Sequence, residues 1–238
     1  KIEEVPEPQI GAGQALIRVH ASAFNHLELW SLHGPADEST HFPMWTGSDI
    51  AGVIAQLAPD VNGWSIGDAV AVNPSLSCGT CERCLAGEVS QCDDYDILGS
   101  GGNGGNAEYV AANADKLIRL PNGFSFVKAA AAPLAYQTAW RAIVKRAKLQ
   151  PGEDVLILGA SGGVASAGIQ ISKYLGARVF AVTSSEEKMD KARRAGADFV
   201  LNRSTSNPFD EVRRLTSGRG VDLVIENVGA ATWSDSQK

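Results

Sequence analysis

No apolar stretch in this chain of 238 residues reaches the roughly 20 residues that a membrane-spanning helix needs. The basic-then-apolar opening of a signal peptide is missing too. Nor is there an excess of positive charge. The 27 Asp and Glu outnumber the 21 Lys and Arg, for a net charge of −6, so nucleic acid and anionic membrane surfaces would be repelled. Internal repeats and low-complexity linkers are absent. Cysteine is scarce: the chain holds four, all within "CGTCERCLAGEVSQC", Cys78 to Cys92. The chain is expected to be cytoplasmic, in a compartment where clustered thiols serve as ligands more readily than as disulfides. The opening "KIEEVPEPQI" has no methionine, and "GAATWSDSQK" closes the chain soon after an apparent buried strand. Both ends are expected to continue in a longer protein.

The first half reads as β-rich. "QALIRVHASAF", "DIAGVIAQLA", "GDAVAVNP" and "NAEYVAANADKLIRL" are β-branched or alternating runs, separated by turn signals such as Asn62-Gly63 and Pro121-Asn122-Gly123. The glycine-dense "GSGGNGG" is expected to be a flexible loop. From about Phe126 the pattern becomes helical, with Pro133 marking a break between two helices. Strands then alternate with helices. "DVLILG", "RVFAVT", "FVLN" and "VDLVIENV" are short apolar strands, and the helix of "SSEEKMDKARRAG" is capped by Ser184 or Ser185 and stopped by Gly196. Such alternation makes a parallel sheet with helices on both faces. The change of pattern divides the chain into residues 1–125 and 126–238, an α/β protein in which a β-rich domain precedes a doubly wound one.

Cys78, Cys81, Cys84 and Cys92 follow the spacing C-x2-C-x2-C-x7-C. Short C-x2-C steps let sulfurs converge on one tetrahedral zinc, and four thiolates leave no open position for water or substrate. One structural Zn²⁺ that braces a loop is the expectation.

"VLILGASGGVASAG" places a glycine-rich turn between an apolar strand and a helix, the context in which such a turn binds a dinucleotide. Ser161, Gly162, Gly163 and Val164 are the candidate phosphate contacts, at a helix N-terminus that carries free N–H groups and positive dipole. An NAD site usually has an acid at the end of the second strand. Thr183 stands there instead, and Ser184, Lys188 and Arg203 follow as receivers of a 2′-phosphate. NADP(H) is therefore expected in preference to NAD(H).

The cysteine loop and the glycine turn, in this order, resemble the medium-chain dehydrogenase/reductase family of zinc alcohol dehydrogenases and quinone oxidoreductases. The resemblance extends through "IRVHASAFNHLELW", "GSDIAGVI", "NGWSIGDAVAVNP" and "AAAAPLAYQTAW". It implies a GroES-like catalytic domain followed by a Rossmann domain, hydride transfer in the cleft between them, and a homodimer in the full-length protein. The departures from the family pattern concern metal. Zinc alcohol dehydrogenases hold a second, catalytic zinc; at the three matching points this chain has Asn25, Ser48 and Leu134, none of them a good zinc ligand. Asn25 instead resembles the quinone-oxidoreductase branch, which works without catalytic metal.

The resemblance thus implies NAD(P)H-dependent reduction of a quinone, an enone or a related activated carbonyl. Asn25 and Asp49 would line the cleft, Tyr136 would offer a hydroxyl, and Thr138 would sit near the nicotinamide, while Trp30 would pack. Two alternatives stand beside this. One is an alcohol dehydrogenase whose catalytic zinc site is rebuilt from His26, Glu28, His41 and Asp49. The other is an NADPH-binding structural or regulatory protein without chemistry.

Overall fold

The computed structural model describes residues 2–33, 44–100 and 102–238, so His41 lies outside the described residues. The chain divides into two compact units, Lys1–Leu134 and Ala135–Lys238. Among the described residues, no helix is long and apolar enough to cross a membrane.

The first unit is built on β1 (Gln14–Ala23), β2 (Asp49–Leu57), β3 (Ala69–Val72), β4 (Ser75–Leu76), β5 (Asp96–Ile97), β6 (Tyr109–Asn113) and β7 (Leu117–Arg119). Five of these form an antiparallel sheet in the order β6-β1-β2-β3-β7. Ile17, Ile50, Ile54, Val70, Val72 and Val110 fill its core. Pairing of β1 with β2 shifts register between Val19 and Ala21 and sets Ala23 opposite Asp49. That pairing joins the end of β1 to the start of β2, where the candidate residues lie. Helix α1 (His26–His33) follows β1 directly, and α2 (Glu82–Leu85) lies in the cysteine segment. Helix α3 (Phe126–Ala130) is capped by Ser125, whose Oγ accepts from the Lys128 N–H, and lays Ala129 and Ala130 on Ala51 and Ala71. This contact makes α3 part of the first unit's core.

After Pro133 the chain restarts as α4 (Pro133–Trp140) and continues in a π-helical turn, Arg141–Arg146. Then come β8 (Asp154–Ile157), α5 (Gly163–Tyr174), β9 (Arg178–Thr183), α6 (Glu186–Ala195), β10 (Phe199–Asn202), α7 (Pro208–Leu215), β11 (Leu223–Ile225) and α8 (Trp233–Ser236). The four strands are parallel, in the order β10-β9-β8-β11. Burial on both faces explains the continuous apolar character of the central strands β8 and β9. Val155 and Ile157 enter the cluster with Ile169 of α5, while Leu156 and Leu158 enter the opposite one with Phe180 and Val212. At the head of β8 the buried carboxylate of Asp154 takes two bonds from Arg178, 2.5 and 2.6 Å, and one from Arg219. These guanidinium bonds, Arg178 first, hold its carboxyl below the usual carboxylate range. Their contribution is therefore present above the unfolded-state pKa and lost as pH falls through the depressed value.

Gly196 ends α6 in the left-handed region, φ 108°, as its position requires. The start of the same helix corrects an expectation. Ser185 is the N-cap residue, but neither serine caps by its side chain: Ser185 makes no such bond, and Ser184 is engaged through its carbonyl, which accepts from Ser204. The first turn instead carries Glu186 and Glu187, which favour the positive end of the helix dipole.

Candidate functional site

All four cysteines are free thiols, and their sulfurs lie within 4.8 Å of one another. Cys92 to Cys78 is 3.6 Å, and Cys78 to Cys84 is 3.9 Å. A tetrahedral zinc with bonds of about 2.3 Å has sulfur–sulfur edges of about 3.8 Å, so the set fits that ion. The C-x2-C spacing produces this locally. Cys78 Sγ accepts from the Cys81 N–H at 3.3 Å, and Cys81, the N-cap of α2, accepts from the Cys84 N–H at 3.5 Å. The N–H groups of Thr80 and Cys81 lower the Cys78 thiol to about 6, toward the thiolate a metal needs. Neither α2 nor the 3₁₀ turn Val89–Gln91 buries a residue, so the segment has little core of its own. Among the described residues this is the one group of three or more such side chains placed to hold a metal.

The second constellation is the head of α5. Gly159 turns the chain at φ 63°, and Gly162 precedes a first turn that no side chain caps. Ala165 is buried, and a Cβ on Gly168 would already touch Ile143 and Ile157 at 3.5 Å, so small residues let the helix lie close on β8. Beside the turn opens a cavity of about 350 Å³ that brings together Ser161, Ser184, Lys188 and Arg203. Thr183 also lines it, and its buried Oγ1 has no hydrogen-bond partner. A cavity at the strand ends, lined by hydroxyls and by Lys188, Arg203 and Asp235, lies where a parallel sheet of this kind receives a dinucleotide. Gly162, Gly163 and Val164 form the head of the helix and are not in the cavity wall. Thr138 and Tyr136 are exposed on α4. Sequence reasoning missed Asn207 and Phe209, also in the wall; the signal available was the Asn-Pro cap of α7, where Asn207 accepts from the Phe209 N–H at 2.9 Å.

The third constellation lies at the β1–β2 end of the first unit. Asp49, only 2% exposed, accepts from Asn25 Nδ2 at 2.9 Å and from the Leu134 N–H at 2.7 Å. One carboxylate therefore ties Asn25 to Leu134 and lies next in the chain to Ser48, the three positions that the resemblance matches to zinc ligands. The Ser48 hydroxyl is fully buried and without a hydrogen-bond partner among the described residues. Burial pushes the Asp49 carboxyl up and the nearby Glu28 charge adds to this, while the Asn25 and Leu134 bonds oppose it. Sequence reasoning weighed Glu28 only as a metal ligand. It is buried, and its Oε2 accepts from the Asn25 N–H at 2.6 Å; the signal was Asn-x-x-Glu at a helix start. His26 is exposed on α1, its ring centroid 6.3 Å from that of Trp30. Trp30 does not pack as expected, since it remains 68% exposed.

"GSGGNGG" also departs from expectation over its described residues: it is an interlock rather than a flexible loop. Gly104 N–H donates to Trp45 O, Gly105 N–H to Gly47 O, and Asn106 N–H to Thr46 O, at 2.7–2.9 Å. Asn106 also bonds Thr46 Oγ1 at 3.0 Å and Ser22 Oγ at 2.9 Å. The glycines are there for close approach. A Cβ on Gly104 would lie 2.5 Å from the Thr46 carbonyl carbon, and one on Gly105 would lie 2.2 Å from Ile50 Cγ1. The interlock braces the segment that leads into Ser48 and Asp49. Gly105→Ala is expected to destabilise the protein by about 1–3 kcal/mol through overpacking, read as a lower denaturation midpoint.

A glycine turn that opens a helix on a parallel sheet, beside a cavity at the strand ends, is the equipment of dehydrogenases that take hydride from or give it to a nicotinamide. Comparison with known proteins specifies the kind. Residues 11–122 match the alcohol dehydrogenase GroES-like domain, and residues 163–238 match the zinc-binding dehydrogenase domain. A NAD-dependent alcohol dehydrogenase of Sulfurisphaera tokodaii is 36% identical over 95% of this chain and 67% of its own length. An acryloyl-coenzyme A reductase of the same organism is 33% identical over 100% of this chain and 69% of its own length. A crystal structure of a NAD-dependent alcohol dehydrogenase superposes with a TM-score of 0.94 at 42% identity, over 98% of this chain and 68% of that one. The chain belongs to the medium-chain dehydrogenase/reductase family and is an NAD(P)-dependent oxidoreductase. It spans about two thirds of the length of these relatives.

Proposed function

We propose that the protein reduces an activated carbonyl compound (a quinone, an enone or a similar conjugated acceptor) with NADPH, and that no catalytic metal takes part. The observation that carries this reading is the hydrogen-bonded set of Asn25, Asp49 and Leu134, two of which, Asn25 and Leu134, hold positions that the resemblance matches to zinc ligands. The likeness to an enzyme named acryloyl-coenzyme A reductase supports a conjugated acceptor. A bound nicotinamide supplies the hydride. The chain's own part is to bind, orient and stabilise. Asn25 spends one amide proton on Asp49, which fixes the plane of the amide and leaves the other proton to donate to an oxygen that gains charge. Tyr136 is a second donor, and Thr138 borders the nicotinamide. Ser161, Gly162, Gly163 and Val164 receive the pyrophosphate, and Ser184, Lys188 and Arg203 receive the 2′-phosphate.

The test is turnover by full-length protein on a benzoquinone, cyclohexenone, an enoyl thioester and a primary alcohol, with each cofactor. Alcohol oxidation that chelation abolishes in folded protein would replace this reading with a rebuilt zinc site. The cofactor preference has its own test. Loss of Lys188 and Arg203 together removes two charged bonds worth about 1.5–3 kcal/mol each. The NADPH KM of Lys188→Ala/Arg203→Ala is therefore expected to rise more than tenfold, with NADH kinetics unchanged. A homodimer of the full-length protein belongs to the same proposal, and sedimentation equilibrium checks it.

A further inference from the structure

We propose that Glu28 is a positioning residue for the reducing site: it holds Asn25 by the backbone while Asp49 holds it by the side chain, and it sets a second negative charge beside Asp49. The inference rests on the reading of Asn25 and Asp49 as site residues. The Asn25 N–H donates to Glu28 Oε2 at 2.6 Å, and the Glu28 N–H returns to Asn25 O at 3.3 Å, closing the first turn of α1. At a helix start of this kind glutamine serves as an acceptor as well as glutamate, and either normally stands in solvent. This one does not. Glu28 is 4% exposed, and its Oε1 is buried with no hydrogen-bond partner among the described residues. A buried polar oxygen without a partner is costly to the fold.

Asp49 lies opposite Ala23 of β1, and the head of α4 reaches it through the Leu134 backbone N–H. Glu28 on α1 is the charged side chain that acts on the Asp49 carboxyl, in the direction that keeps its proton. Asn25 is thus held from two sides, by Glu28 at its backbone N–H and by Asp49 at its side-chain amide.

Glu28→Gln separates this role from a plain cap, because glutamine keeps the acceptor for the Asn25 N–H and removes only the charge. The measurement is the ¹³C carboxyl titration of Asp49, assigned with Asp49→Asn, alongside the pH profile of kcat/KM. In Glu28→Gln the Asp49 midpoint should fall by about half a pH unit or more, and the acid limb of the profile should move with it. NADPH binding should stay within twofold. Glu28→Ala should lower kcat at least tenfold further and broaden the Asn25 side-chain amide signal. An unchanged Asp49 titration and pH profile in Glu28→Gln would overturn the proposal, whether or not Glu28→Ala folds. Wild-type protein without turnover on any acceptor would refute the functional reading alone, since the carboxyl titration still decides whether Glu28 acts on Asp49.

Discussion

Cys92→Ser is expected to reduce the zinc content from one per chain to none and to unfold the segment from Cys78 to Cys92. Cys92 is the buried member of the set, and it closes the loop that the other three begin. The segment has a four-residue helix, a single 3₁₀ turn and no buried side chain in either, so nothing but the metal and a few polar bonds holds it. Arg83 to Asp93 at 2.7 Å is one of those bonds, but it is exposed and worth little. Zinc in small folded sites contributes about 10–16 kcal/mol of binding energy, most of which is folding energy. A net loss of even 3–5 kcal/mol would lower the melting temperature by about 10 °C in a chain of this size. Elemental analysis and calorimetry read both effects. Chemistry should respond differently. Four thiolates leave the ion no open position, so variant protein kept folded in the cold should retain most of its kcat. Two zinc ions per wild-type chain would mean that a second site has been rebuilt near His26 and Asp49, and alcohol oxidation would then be the first activity to measure.

The parts of this molecule that could be read from sequence are those whose cause is local. Strands β9 and β10 coincide with the apolar runs "RVFAVT" and "FVLN"; β9 is buried along five of its six residues and so has to be apolar there, and β10 is the half-buried edge beside it. The cysteines find one another within 14 residues, and the glycine turn acts on the helix it opens. What could not be read depends on distant partners. Asn25 meets Asp49 across 24 residues only because β1 pairs with β2 in a shifted register, and Leu134 reaches the same carboxylate through a backbone N–H. No residue type advertises a backbone donor. The glycines of "GSGGNGG" carry the same lesson in reverse. Their composition suggests mobility, but a residue without a side chain also suits the tightest contacts, and only the segment from Trp45 to Gly47 reveals which use applies.

Asn25→Ala and Asp49→Ala should each lower kcat about 10²–10³-fold, the loss that follows removal of one donor to a developing oxyanion. The double variant should be no slower than the worse single one. Asp49 acts through Asn25, so once the amide is gone the carboxylate has nothing left to orient; independent roles would instead multiply. Asp49→Asn tests the same geometry more finely. Its amide can still accept the Leu134 N–H, but it then points an NH₂ at the Asn25 NH₂. The pair is relieved only if Asn25 turns over and presents its oxygen where its N–H had been. Activity should therefore fall nearly as far as in Asp49→Ala, although volume and neighbours are conserved. Stability should move the other way. Burial gives the Asp49 carboxyl a raised pKa, so the folded chain binds that proton more tightly than the unfolded one. The group favours folding most at low pH, and that benefit declines as pH climbs from the unfolded-state value through the raised one. Asparagine removes this slope, and at neutral pH its melting temperature should equal or exceed that of the wild type. A protein made more stable and much slower by one isosteric change would place Asp49 among residues kept for chemistry at the expense of the fold.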